Sequence, residues 1–128
     1  MSDALLDLAV LERKKFNYLN ETLDLTRQLG DALDRSDQES VRMVVAMRQE
    51  PILHLAEVDR IAKERRDSLP PEERQRLEEL QQGAAAESAS EKTFLEQSSQ
   101  ARRLLERVVE LDRRISLRMA GDQSFYKK

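Results

Sequence analysis

Cysteine and tryptophan are both absent from the 128 residues. Without thiols there is no disulfide, no cysteine nucleophile and no thiolate metal site. Small secreted domains commonly rely on disulfides, so the lack of cysteine favours a reducing compartment. Glycine and proline number only three each. A sheet protein of this length needs many turns, and turns draw on those two residues, so an all-β fold is not supplied for. No apolar run is long enough to cross a bilayer. The opening residues, MSDALLDLAVLERKK, put an acidic residue before a short apolar patch and the positive charges after it. A secretory signal has the reverse order. These features predict a cytoplasmic protein without membrane insertion.

Charge is what the chain has in excess. Charged residues make up 37% of it, against about 25% in an ordinary domain. Long, slender helices expose much surface for each core residue, and that surface takes the surplus. The net charge is −3, with both signs mixed throughout. Nucleic acid is therefore not expected as a partner, because phosphate neutralisation needs a net basic surface.

Apolar spacing predicts four helices. The first covers about 3–33, with Leu5, Ala9, Phe16, Leu19, Leu23 and Leu33 on one stripe and Leu8, Leu11, Tyr18, Leu25 and Leu29 on the next. Two adjacent stripes make the broad face of a bundle helix touching two partners. Ser36 and Glu39 read as a capping box opening a second helix over about 37–68. It turns Val41, Val44, Val45, Ile52, Leu55, Val58 and Ala62 inward. The apolar phase continues across Pro51, which predicts one helix kinked at the proline rather than two helices. The stretch SLPPEE starts a short third helix over about 71–82, anchored by Leu77 and Leu80 and ended by Gly83. Ser88 and Glu91 form a second capping box before a last helix over about 89–120. Its inner face carries Phe94, Ala101, Leu104, Leu105, Val108, Leu111, Ile115 and Met119. At 1.5 Å per residue it spans about 45 Å, close to the other long helices. The expected fold is an all-α antiparallel bundle of three long helices plus one short helix. It forms one domain over 1–121, followed by a flexible tail, 122–128.

Catalytic signatures are missing. His54 is the only histidine, and no nucleophile elbow or Glu-x-x-His pair accompanies it. There is no glycine-rich phosphate loop and no zinc spacing. No catalytic, cofactor-binding or metal-ligating residue is assigned, and no cofactor is expected. Arg48, Asp59 and Asp112 sit near the inward phase of their helices. Small helical enzymes of the chorismate mutase type bind a dicarboxylate between helices with converging cations, but here only Arg48 has that phase, with Lys15 as a weaker second. The arginines of the last helix alternate with Glu106, Glu110 and Asp112. They read as a salt-bridged, solvated face with Arg102–Glu106 and Glu110–Arg114 as its pairs. Met43 and Met47 lie one turn apart beside Val44. Unbranched, polarizable methionines suit an adaptable groove, so these three are candidate partner-binding residues.

The stretch LLDLAVLERKKFNYLNETLDLTRQL, followed by ALDRSDQESVRMVVAMRQEPILHLAEVDRIAKERR, a late long helix and a loose end, resembles the FlgN-like and FliT-like flagellar export chaperones. The resemblance covers most of the chain and lies in helix lengths, leucine spacing and charge style. It implies a small cytoplasmic helical chaperone. Such chaperones hold the helical termini of late export substrates, the hook–filament junction or filament cap proteins, and deliver them to the export apparatus. It also implies a role in gate binding for a tyrosine near the C-terminus, and Tyr126 is the nearest position. Phe125 and Tyr126 are candidate partner-binding residues on that account, since exposed aromatics anchor well in a partner's pocket. The alternative to a chaperone is a coiled-coil scaffold whose stripes close a homodimer.

Overall fold

Leucine at two neighbouring helical phases makes the first helix the centre of the molecule. The structure is a computed structural model that describes the backbone of residues 2–127 and the side chains of residues 3–121. Among the described residues it contains α1 (Ser2–Asp34), α2 (Gln38–Asp67), α3 (Pro71–Gln81) and α4 (Ala89–Lys127), and no strand. The two stripes of α1 pack against both α4 and α2, while α2 and α4 approach each other far less closely. Leu5 and Leu8 share a core cluster with Phe94, and Leu25 and Leu29 share one with Ile115, so α1 and α4 run parallel. Val58 and Ala62 join the first cluster and Val44 the second, so α2 runs antiparallel to both. Two buried threonines interrupt the α1 stripes at little cost. Thr22 Oγ1 donates to the Tyr18 carbonyl and Thr26 Oγ1 to the Thr22 carbonyl, which satisfies both hydroxyls within the helix.

Gly30 does not shorten α1. It lies inside the helix, and a methyl group there would come within 3.1 Å of Ile115 Cδ1, so the missing side chain lets α4 approach. The first capping box is not formed, which corrects the sequence reading. Ser36 instead takes a φ of 55° and closes α1. Its amide donates to the Leu33 carbonyl and the Asp37 amide to the Ala32 carbonyl, the paired bonds of a Schellman motif. The N-cap role passes to Asp37, whose carboxylate accepts from the Ser40 amide and the Ser40 hydroxyl. Those bonds hold the Asp37 carboxyl below its ordinary pKa. A left-handed serine is strained where glycine is not. Ser36→Gly should therefore raise stability by about 0.5–1 kcal/mol, and Ser36→Val should lower it. Urea unfolding of the two variants checks this, and a destabilised glycine variant contradicts it.

Helix α2 passes through Pro51 unbroken, with the proline buried. Helix α3 lies across the end of the bundle where α1 and α4 begin, and its Leu77 joins Phe94, Val58 and Leu5 in the core. Gly83 has a φ of 112° and closes α3 with the same paired bonds, from Gly83 to Leu80 and from Ala84 to Glu79. The second capping box forms with an addition. The Glu91 amide donates to Ser88 Oγ, as the motif requires, but the Glu91 carboxylate accepts from the Glu87 amide. Arg76 of α3 also forks onto both carboxylate oxygens, at 3.0 and 2.7 Å. Bidentate charge-assisted bonds of this kind fix geometry as well as energy.

The Arg76 fork, then the Glu87 amide, hold the Glu91 carboxyl down at about 2 against an ordinary 4.5. The folded state thus binds fewer protons than the unfolded chain across that window. This contribution is complete above about pH 4.5 and is lost as pH falls towards 2. Glu91→Gln should flatten the acid limb of the stability profile and cost about 1–3 kcal/mol at neutral pH. Unfolding followed from neutral to acid pH reads both, and an unchanged acid limb would contradict the assignment.

Helix α4 does not stop at Gly121. Its backbone continues to Lys127, past the expected end at 120. Glycine permits a helix end without enforcing one. The expected tail, 122–128, with Phe125 and Tyr126, lies outside the residues whose side chains are described.

Candidate functional site

The gap between α2 and α4 is lined by two facing stripes. On α2 they are Val45, Arg48, Ile52 and Leu55, spaced three and four residues apart. On α4 they are Leu105, Val109 and Asp112, spaced four and three apart. These spacings put each set on one helix face. Helix α1 packs beneath both helices, and among the described residues no helix packs over the upper edges of the stripes. Leu55 and Leu105 pack down onto Leu19, Leu23, Leu104 and Val108, which fixes the floor. Val45 packs against the cluster around Leu29. Ile52 remains 39% exposed and Val109 57% exposed.

An ion pair crosses the middle of this seam. Arg48 Nη2 donates to Asp112 Oδ1 at 2.5 Å. The two ends differ in hydration, the Arg48 side chain being 14% exposed and that of Asp112 42%. Arg48 Nε is buried and has no hydrogen-bond partner among the described residues. A buried donor left unpaired is costly, and its burial keeps it out of reach of anything laid on the seam. Exposed apolar surface from Ile52 and Val109 stands on either side of this ion pair.

The other predicted site residues fall elsewhere. Met43 and Met47 are exposed, on the flank of α2 that also carries His54, whose ring stacks on Tyr18 of α1 at 4.9 Å. That flank faces away from the seam. Val44 does not join them at the surface. It is 4% exposed and packs with Leu25, Leu29 and Ile115, so it supports the methionines from below. His54 Nε2 lies 3.6 Å from Glu50 on the exposed surface. The cations considered for an anion site between helices are both matched: Arg48 by Asp112 and Lys15 by Asp59, at 3.6 Å. On α4 the expected Glu110–Arg114 pair forms and Arg113 joins it, whereas Arg102 and Glu106 do not meet. No helix among the described residues is long and apolar enough to cross a membrane.

Sequence reasoning placed Ile52 in the core and assigned Val109 nothing. The available signal was Leu105-x-x-x-Val109-x-x-Asp112, a partial second stripe beside the main one. Comparison with protein-family models, with curated proteins and with solved structures finds no match.

Proposed function

We propose that this chain is a non-catalytic binding protein whose α2–α4 seam receives an amphipathic helix from a client. In that reading it acts in the cytoplasm as an export chaperone for late flagellar substrates. The observation that supports the binding reading is the seam itself, where exposed Ile52 and Val109 flank the mostly buried Arg48 and its ion pair with Asp112. A client helix would lay its apolar stripe between Ile52 and Val109. Helix-in-groove recognition works in this way, with anchors every third or fourth residue. The flagellar identity of the client rests on the resemblance of the first two helices and the order of the later pieces. On the same basis, Phe125 and Tyr126 are proposed to contact the export apparatus.

The test uses the terminal helices of hook–filament junction and filament cap proteins as bait peptides. The intact chain, an Ile52→Asp/Val109→Asp variant and a version lacking residues 122–128 are compared. The intact and truncated chains should bind a bait, and the double variant should lose at least about tenfold in affinity while keeping its helical circular dichroism. The truncation should lose only an export-apparatus component. Equal binding by the double variant would remove the seam from the account. Failure to bind any bait, with a dimer that the double variant dissolves, would favour the homo-oligomeric scaffold.

A further inference from the structure

A second cleft lies between α1 and α4, on the side of α4 turned away from α2. It is open and holds about 640 Å³. Leu23 and Leu111 form its floor, and Arg27, Arg103, Arg107 and Arg114 stand around it. Glu106 and Glu110 share the lining, so the cleft is net basic on a chain whose net charge is −3. Residues 103, 107, 111 and 114 follow one another at four, four and three residues along α4. That places arginines at 103, 107 and 114, with Leu111 between the last two, on one face over about 17 Å of helix. Glu110 already accepts from Arg113 and Arg114, at 3.0 and 3.2 Å, and Asp24 stands 3.9 Å from Arg27. Arg103 donates from Nε to the Ser99 carbonyl. Arg103 and Arg107 make no ion pair among the described residues. They are the two cations available to a partner.

We propose that this cleft docks a second protein segment, an amphipathic helix with an apolar stripe bordered by carboxylates one turn apart. This surface goes beyond the client seam and does not depend on it. The apolar floor calls for apolar side chains, and the arginines call for carboxylates at helical spacing, which guanidinium forks hold bidentately. Nucleic acid fits poorly. Glu106 and Glu110 would oppose its phosphates, and the lining offers no aromatic face for stacking a base.

The experiment measures fluorescence anisotropy of the full chain with four labelled probes. They are an amphipathic peptide with a leucine stripe and glutamates at i and i+4, its lysine-for-glutamate analogue, a scrambled acidic peptide and a single-stranded RNA. The acidic amphipathic peptide should bind best, and its affinity should fall as salt rises from about 50 to about 500 mM. Arg103→Glu/Arg107→Glu should weaken it about tenfold or more, while Ile52→Asp/Val109→Asp leaves it unchanged. Arg103→Gln/Arg107→Gln gives a milder loss in the same direction and guards against misfolding of the charge-reversed variant. The proposal is overturned if the scrambled peptide or the RNA binds as tightly as the amphipathic one. It is also overturned if neither arginine variant changes the affinity.

Discussion

Phe94→Ala is expected to remove about 3–5 kcal/mol of stability, the largest loss from any single side chain here. Phe94 is fully buried where α1, α2, α3 and α4 meet, packed in the cluster of Leu5, Leu8, Val58, Ala62 and Leu77. Its removal costs the transfer energy of the ring and leaves a cavity that three long helices cannot collapse without shifting together. A domain of this size has about 5–15 kcal/mol in total, so the variant should sit close to the threshold of folding. Leu53→Ala, at a position 67% exposed, serves as the control and should change stability by less than about 0.5 kcal/mol. Urea midpoints for the two variants decide the matter. A Phe94 variant within 1 kcal/mol of the parent, on about the scale of an ordinary substitution, would mean that the end of the bundle packs differently.

The second large effect is an asymmetry within the seam. Asp112→Ala should cost about 2–3 kcal/mol, because it leaves the mostly buried Arg48 guanidinium without its carboxylate. Arg48→Met should cost less, since Asp112 is 42% exposed and regains water when freed. The Arg48→Met/Asp112→Leu pair should recover most of the loss, as replacing a buried ion pair with apolar groups of similar volume often does. A double-mutant cycle by chemical unfolding gives all three values. Equal costs for the two single variants would show that the pair is solvated at both ends. Under the proposed function the apolar pair stays folded yet discriminates poorly among client helices, because the ion pair between Ile52 and Val109 is gone.

Most of the fold was legible because apolar spacing and end signals acted together. The α1 stripes, the α3 anchors Leu77 and Leu80, and the cap at Gly83 read directly from spacing and turn chemistry. The Ser36 box misled because a local motif competes with what the preceding helix needs. Closing α1 required a residue in the left-handed region, and Ser36 was used for that, moving the cap to Asp37. The last helix runs past its expected end at 120 because Gly121, with open space around it, does not force a helix to end. The candidate site was much harder to read. Periodicity shows that Ile52 and Val109 are apolar, but which apolar edge lacks a neighbour depends on how closely α2 and α4 approach, and that is a tertiary distance. The Arg76–Glu91 fork likewise joins two helices across a loop, and a single sequence carries no trace of the pairing.

The most direct test of the helix-docking account is amide hydrogen exchange on the full chain, with and without a saturating hook–filament junction or cap peptide. Docking in the seam predicts added protection along both facing stretches, 45–55 of α2 and 105–112 of α4, with little change around Met43. Protection confined to the methionine flank, or no added protection at either stretch while the peptide is bound, would contradict it.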